Sequence, residues 1–147
     1  MTECLSFTLL LCSFFCHFVY ADVHPVEGVA NSTVGLSQAC VTALEASVQC
    51  DPYLVSIFSA DIYTALGDDA LQNSICDITC GTSLAAYRST VQTACANTPT
   101  PWQGIPATLY GDHIWAAYNL TCLKDPVTGQ FCTGKIYAQI DNGRARC

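Results

Sequence analysis

The chain has 147 residues, of which 51% are hydrophobic and 12% charged, eleven are cysteine, and the formal charge is −7. Between Asp22 and Gly134 only Arg88 and Lys124 are basic. Such a surface repels polyphosphate and anionic lipid, which excludes nucleic acid and charged membranes as natural partners. The other basic residues, Lys135, Arg144 and Arg146, fall in the last 13 positions.

Residues 5–19 are an almost unbroken apolar run ending before Tyr20-Ala21-Asp22. About 15 apolar residues fall short of the roughly 20 that span a bilayer. Val19 and Ala21 offer an A-x-A-like cleavage site. Residues 1–21 therefore read as a signal peptide, and no membrane span is expected. Cleavage would remove Glu3 and leave a net charge of −6 on a secreted, extracellular chain. Its mature length, about 126 residues, is that of one domain.

Three cysteines, Cys4, Cys12 and Cys16, lie inside the leader and behave there as small hydrophobes. Eight follow it: Cys40, Cys50, Cys76, Cys80, Cys95, Cys122, Cys132 and Cys147. An even count after an export signal reads as a disulfide framework. Each bridge contributes about 2–4 kcal/mol, so reduction is expected to unfold the protein. Two sequons suit export, Asn31-Ser32-Thr33 and Asn119-Leu120-Thr121, and mark a candidate glycoprotein. Asn119 falls where a helix is expected, so its modification needs that face exposed.

Residues 22–35 lack periodicity and read as a flexible lead-in. From Leu36, Cys40, Ala43, Leu44, Ser47 and Val48 recur at helical steps, and Asp51-Pro52 ends that helix. Residues 53–66 give a second helical stretch, closed by Gly67. Asp68 or Asp69 can cap a third, carrying Leu71, Ile75, Cys76, Ile78 and Cys80 and stopped by Gly81. Cys76 and Cys80 lie side by side there and so bridge to different elements. A fourth helix carries Leu84, Tyr87, Val91, Ala94 and Cys95.

After the proline-bearing connection 97–106, Asp112 can cap a fifth helix through Ile114, Ala117, Tyr118 and Thr121. Lys124-Asp125-Pro126-Val127-Thr128-Gly129 is turn chemistry, and Cys122 and Cys132 are expected to pair across it. The fold class is mainly α: a small disulfide-stapled domain of about five helices with a short C-terminal loop or hairpin. The boundaries are 36–136 for the cysteine-rich helical domain and 137–147 for a divergent tail.

Nothing in this pattern points to a reaction. His24 and His113 are the only histidines beyond the leader. His113 follows Asp112 directly, and neighbours at a helix start do not make a base and its orienting partner. Glycosidase chemistry needs two carboxylates across a cleft. Glu45, Asp61, Asp68, Asp69, Asp77 and Asp112 supply candidates, but any acidic domain does. Cys76-x3-Cys80 resembles half a zinc site, without a second pair to complete it. No catalytic residue, metal or cofactor is expected. Trp102, Tyr110, Trp115 and Tyr118 cluster in sequence; buried aromatics are commoner than exposed ones, but Trp102 and Trp115 could form a platform for sugar rings.

The runs Cys50-Asp51-Pro52-Tyr53-Leu54, Cys76-x3-Cys80 with Leu84, Tyr87-Arg88 and Cys95, and Pro106-Ala107-Thr108 with Gly111-Asp112 and Trp115 fit one pattern. So does Tyr118-Asn119-Leu120-Thr121-Cys122-Leu123-Lys124-Asp125, closed by Gly129-Gln130-Phe131-Cys132. Together they resemble the cysteine-rich N-terminal region of secreted fungal LysM-domain proteins of the effector type, over residues 36–136. In that family the region precedes LysM repeats, which bind chitin. No LysM repeat is visible in these 147 residues, so the family's sugar-binding residues have no positions here. The resemblance implies a non-enzymatic protein that binds at a cell wall or host interface, with chitin, another wall polysaccharide or a host protein as partner. The alternative is a stapled helical carrier of lipid or another small apolar ligand. Seven of the eight cysteines fall inside the matched region. Either Cys147 completes a fourth bridge, or an unpaired thiol invites a disulfide dimer.

Overall fold

The fold comes from a computed structural model that describes residues 21–27, 35–58, 68–98 and 104–133. In these, strand β1 (Ala21–Val23) is followed by helix α1 (Gln38–Leu44), strand β2 (Val48–Cys50) and a 3₁₀ helix (Pro52–Phe58). Helices α2 (Asp69–Ile75), α3 (Ile78–Cys95) and α4 (Thr108–Thr121) complete the order. The class is mainly α, as expected.

Helix α3 is the spine. Cys80, Leu84, Tyr87, Val91 and Cys95 recur every three or four residues and are all buried. Against this stripe pack α4 on one side and α1 with β2 on the other. The largest fully buried side chains include Leu44, Leu54, Ile75, Leu84 and Val91. Burial of each contributes about 1.5–3 kcal/mol.

The disulfides follow the spine. Cys40–Cys95 fastens α1 to the C-terminal end of α3, and Cys50–Cys80 fastens β2 to its first turn. Cys76–Cys122 ties the end of α2 to the end of α4. Cys76 and Cys80 thus reach different elements, as their spacing implies.

Several expectations are corrected. The lead-in is not flexible where it is described: β1 pairs antiparallel with β2, Val23 opposite Val48, and Val23 and Val26 are buried. The first helix stops at Leu44 instead of reaching Val48, because residues 48–50 alternate in, out, in as a strand requires. The expected cleavage point lies within β1, between Ala21 and Asp22. Of the second helical stretch, Pro52–Phe58 is 3₁₀ and 59–67 lie outside the described residues. Cys76 and Cys80 do not share a helix. Asp68 caps α2, donors being the Ala70 and Leu71 amides at 3.0 and 3.1 Å; Cys76 ends it; Asp77 caps α3 through the Thr79 amide at 2.7 Å.

Gly81 does not stop a helix either; α3 runs through it. A Cβ there would meet the Tyr118 hydroxyl at 2.8 Å, and one at Gly111 would meet Arg88 Cα at 3.2 Å. Both glycines mark points where α3 and α4 approach closely, which is why bulk is absent there. Asp112 caps nothing: α4 begins four residues earlier, with no side-chain cap. Its carboxylate instead accepts from Arg88 Nε at 2.6 Å and Gln92 Nε2 at 2.8 Å, holding α4 on α3.

The C-terminal turn is a hairpin in miniature. Lys124 bridges Phe131, and Asp125 accepts from the Val127 and Thr128 amides at 2.8 and 2.9 Å. Cys122 and Cys132 do not pair across it. The turn is closed by backbone, with the Cys132 amide donating to Leu123 O at 2.8 Å, while Cys122 faces α2 and takes Cys76. Cys132 is disulfide-bonded to a cysteine outside the described residues. Among the described residues all seven cysteines are thus oxidised.

Sequence patterning missed Gln72, which is fully buried on α2. Its amide donates to Thr133 Oγ1 and to Thr121 O, tying α2 to α4 and the C-terminal segment, and its Oε1 has no partner.

Candidate functional site: a trough between two helices

Antiparallel α3 and α4 leave an open trough of about 480 Å³ along one side of their contact. Ile78, Gly81, Thr82 and Ala85 of α3 line it on one side, Trp115 and Tyr118 of α4 on the other, with Cys76 also in the lining. The sequence makes this depression directly. Gly81 and Ala85 are one turn apart, so small side chains stack on the same face of α3. Opposite them stand two of the three large aromatic side chains of α4.

The aromatic wall is fixed. The Tyr118 hydroxyl crosses to α3 and donates to Asp77 O at 3.2 Å. Burial, and then the nearby Asp77 carboxylate, push its pKa above the usual phenol value. Trp115 stacks on it, with ring centroids 5.8 Å apart and planes at 20°. Trp115 is half-buried, so it packs and also presents surface. Ile78, at 81% exposure, adds an apolar flank. One turn further along, Arg88, Gln92 and Asp112 form their polar cluster. An indole face, small neighbours and adjacent polar groups suit the apolar C–H face and hydroxyl rim of a sugar.

The other aromatic residues separate from this pair. Tyr110 lies on the opposite flank of α4, beside a second depression of about 440 Å³ lined also by Ile105, Leu109, Asp112 and His113. Its walls are mainly apolar, through Ile105, Leu109 and the Tyr110 ring, and burial raises the Tyr110 pKa. Trp102 lies outside the described residues, as do Asn31, Asp61 and Cys147.

Asn119 is exposed on α4, and its side-chain amide donates back to Trp115 O at 2.7 Å. The histidines do not meet: His24 Nδ1 hydrogen-bonds Glu45 O at 2.8 Å, near the start of the chain, and His113 sits on α4. Of the carboxylates, Asp68 and Asp77 cap helices and Asp112 joins two. Cys76 and Cys80, the half zinc site of the sequence reading, each belong to a different disulfide. Among the described residues no cluster of three or more His, Cys, Asp or Glu is placed to hold a metal, and no helix is long and apolar enough to cross a membrane.

The family profile described as "Secreted LysM effector N-terminal domain" matches residues 18–138. The chain belongs to that family. A curated relative from Penicillium expansum, named "Non-secreted LysM effector LysM15", is 38% identical over 102 residues. That stretch covers 69% of this chain and 7% of the relative, so the chain matches a small part of a much longer protein. No solved structure matches. Membership as an N-terminal domain of LysM effectors agrees with the resemblance read from the cysteine spacing and the YNLTCLKD stretch, and the matched span takes in β1, the hairpin and, among the described residues, all four α-helices.

Proposed function

We propose that this LysM effector N-terminal domain acts by binding, without catalysing a reaction, outside the cell at a fungal wall or host interface, and that chitin or another wall polysaccharide is its ligand. The observation that carries this reading is the trough with Trp115 on its wall. Polysaccharide chains present alternating C–H faces, which stack on an indole without sequence-specific polar contacts. The acidic surface is compatible with a neutral polymer and unsuited to an anionic one.

Co-sedimentation of the folded chain with insoluble chitin and with β-glucan tests this. Retention on chitin that is lost on Trp115→Ala, with the variant still folded, is the expected result. No retention on any polysaccharide rules the reading out and leaves a host protein as the partner. A second reading, a carrier of lipid or another small apolar ligand, rests on the separate depression beside Leu109 and Tyr110. Native mass spectrometry decides it: a co-purified lipid displaced by Leu109→Asp supports it, and a protein of bare mass opposes it.

A further inference from the structure

We propose that Asn119 carries an N-linked glycan whose first N-acetylglucosamine is seated against Trp115 in the α3–α4 trough. Three observations meet at this position. Asn119-Leu120-Thr121 is a sequon. Asn119 is exposed and one helical turn after Trp115, and a helical side chain leans toward the N-terminus, over the preceding turn. Its Nδ2 donates to the Trp115 backbone oxygen at 2.7 Å, so the atom that would bear the sugar is held back over the turn that carries the indole.

The chemistry is compatible with that hydrogen bond. The transferred group comes from a lipid diphosphate-linked oligosaccharide. A bond forms between Asn119 Nδ2 and the anomeric carbon, the bond from that carbon to the diphosphate oxygen breaks, and the lipid diphosphate leaves. Nδ2 gives up one of its two protons and keeps the other for Trp115 O. Thr121 is 1% exposed in the folded protein, so transfer precedes folding, while the chain enters the secretory route.

Once folded, the first sugar finds the indole on one side and the small side chain of Ala85 on the other, the space over Gly81 being filled by the Tyr118 hydroxyl. Thr82 donates its hydroxyl proton to Ile78 O at 2.9 Å and keeps its lone pairs for a sugar N–H or O–H. On the binding function proposed above, on which this consequence rests, the attached sugar and an external polysaccharide compete for one ring. Glycosylation would then lower the chain's capacity for polysaccharide.

The test uses the full chain with Asn31→Gln, secreted from yeast and trimmed with endoglycosidase H to a single sugar. Peptide mapping is expected to find one N-acetylhexosamine on the tryptic peptide ending at Lys124. Urea denaturation then compares the single-sugar protein with Asn119→Gln. The sugar is expected to raise the midpoint in the wild-type background and not with Trp115→Ala. Ala85→Leu, which fills the trough and leaves the indole in place, should abolish the increment equally and serves if the tryptophan variant does not fold. An unmodified Asn119, or an equal increment in all backgrounds, overturns the proposal. No external polysaccharide enters these comparisons, so their failure is distinct from failure of the binding function.

Discussion

Replacing Gly81 by alanine should change sign with the residue at position 118. A Cβ at Gly81 would lie 2.8 Å from the Tyr118 hydroxyl oxygen, with the ring carbons Cζ and Cε1 at 3.4 and 3.5 Å. The oxygen must move, yet it is bonded to Asp77 O and the ring is stacked on Trp115. Displacement forfeits a hydrogen bond worth about 0.5–1.5 kcal/mol and costs about 1–3 kcal/mol in overpacking. Against this, alanine gains about 1 kcal/mol over glycine in a helix interior. Gly81→Ala alone is therefore expected to destabilise by roughly 0.5–3.5 kcal/mol. With Tyr118→Phe already present, the nearest atom is a ring carbon in ordinary contact, and the same alanine should stabilise by up to about 1 kcal/mol. Urea denaturation of the four oxidised proteins, followed by circular dichroism, measures the cycle. An equal change in both backgrounds refutes the reasoning.

The bridges should differ in lability. Cys76 and Cys122 are half-buried, whereas Cys40, Cys50 and Cys80 are at 0% and Cys95 at 2% exposure. Limiting dithiol followed by alkylation should therefore open Cys76–Cys122 first, and earlier loss of Cys40–Cys95 would contradict the burial argument. Removing that bridge by Cys76→Ala with Cys122→Ala should cost about 4 kcal/mol, from a separation of 46 residues, read as a lowered urea midpoint. Non-reducing peptide mapping of the secreted protein should join Cys132 to Cys147; a mixed dimer peptide would disprove this. At high pH the buried Tyr87 hydroxyl, which donates to Leu44 O at 2.9 Å, should set the limit. Burial raises its pKa above the ordinary value of 10.0, so its contribution is complete below pH 10 and is lost as the pH rises beyond it. Tyr87→Phe should flatten that decline, and an unchanged pH profile would rule Tyr87 out.

How much was legible in the sequence depended on the length of each signal. The stripe Leu84, Tyr87, Val91, Cys95 spans several turns and located the body of α3, though not its first turn at Ile78–Gly81. Asp68 was a readable cap because its carboxylate meets its own helix. Strands of three residues carry too little alternation to be seen, so β1 and β2 were hidden, the first inside a polar stretch and the second at the tail of a helical pattern. Gly81 and Asp112 misled for one reason: each answers to the other helix. A glycine can end a helix or admit a neighbour, and an aspartate can cap a helix or hold an arginine, and local sequence does not separate these uses. The pairing of Cys122 failed similarly. Short loops are easy to close, but here backbone hydrogen bonds close the turn and leave Cys122 free to staple α2. The trough was half legible: Trp115 stood out as a candidate platform, while Gly81, which admits Tyr118, and Ala85, which leaves room beside the indole, mean nothing until α4 is laid against α3.

Isothermal titration of the Asn119→Gln protein with soluble chitin oligomers tests the central claim most directly, since it frees Trp115 of any attached sugar. The account predicts saturable binding that weakens at least about tenfold, or roughly 1.4 kcal/mol, on adding Trp115→Ala. No heat of binding, or equal affinity with and without the indole, would contradict it.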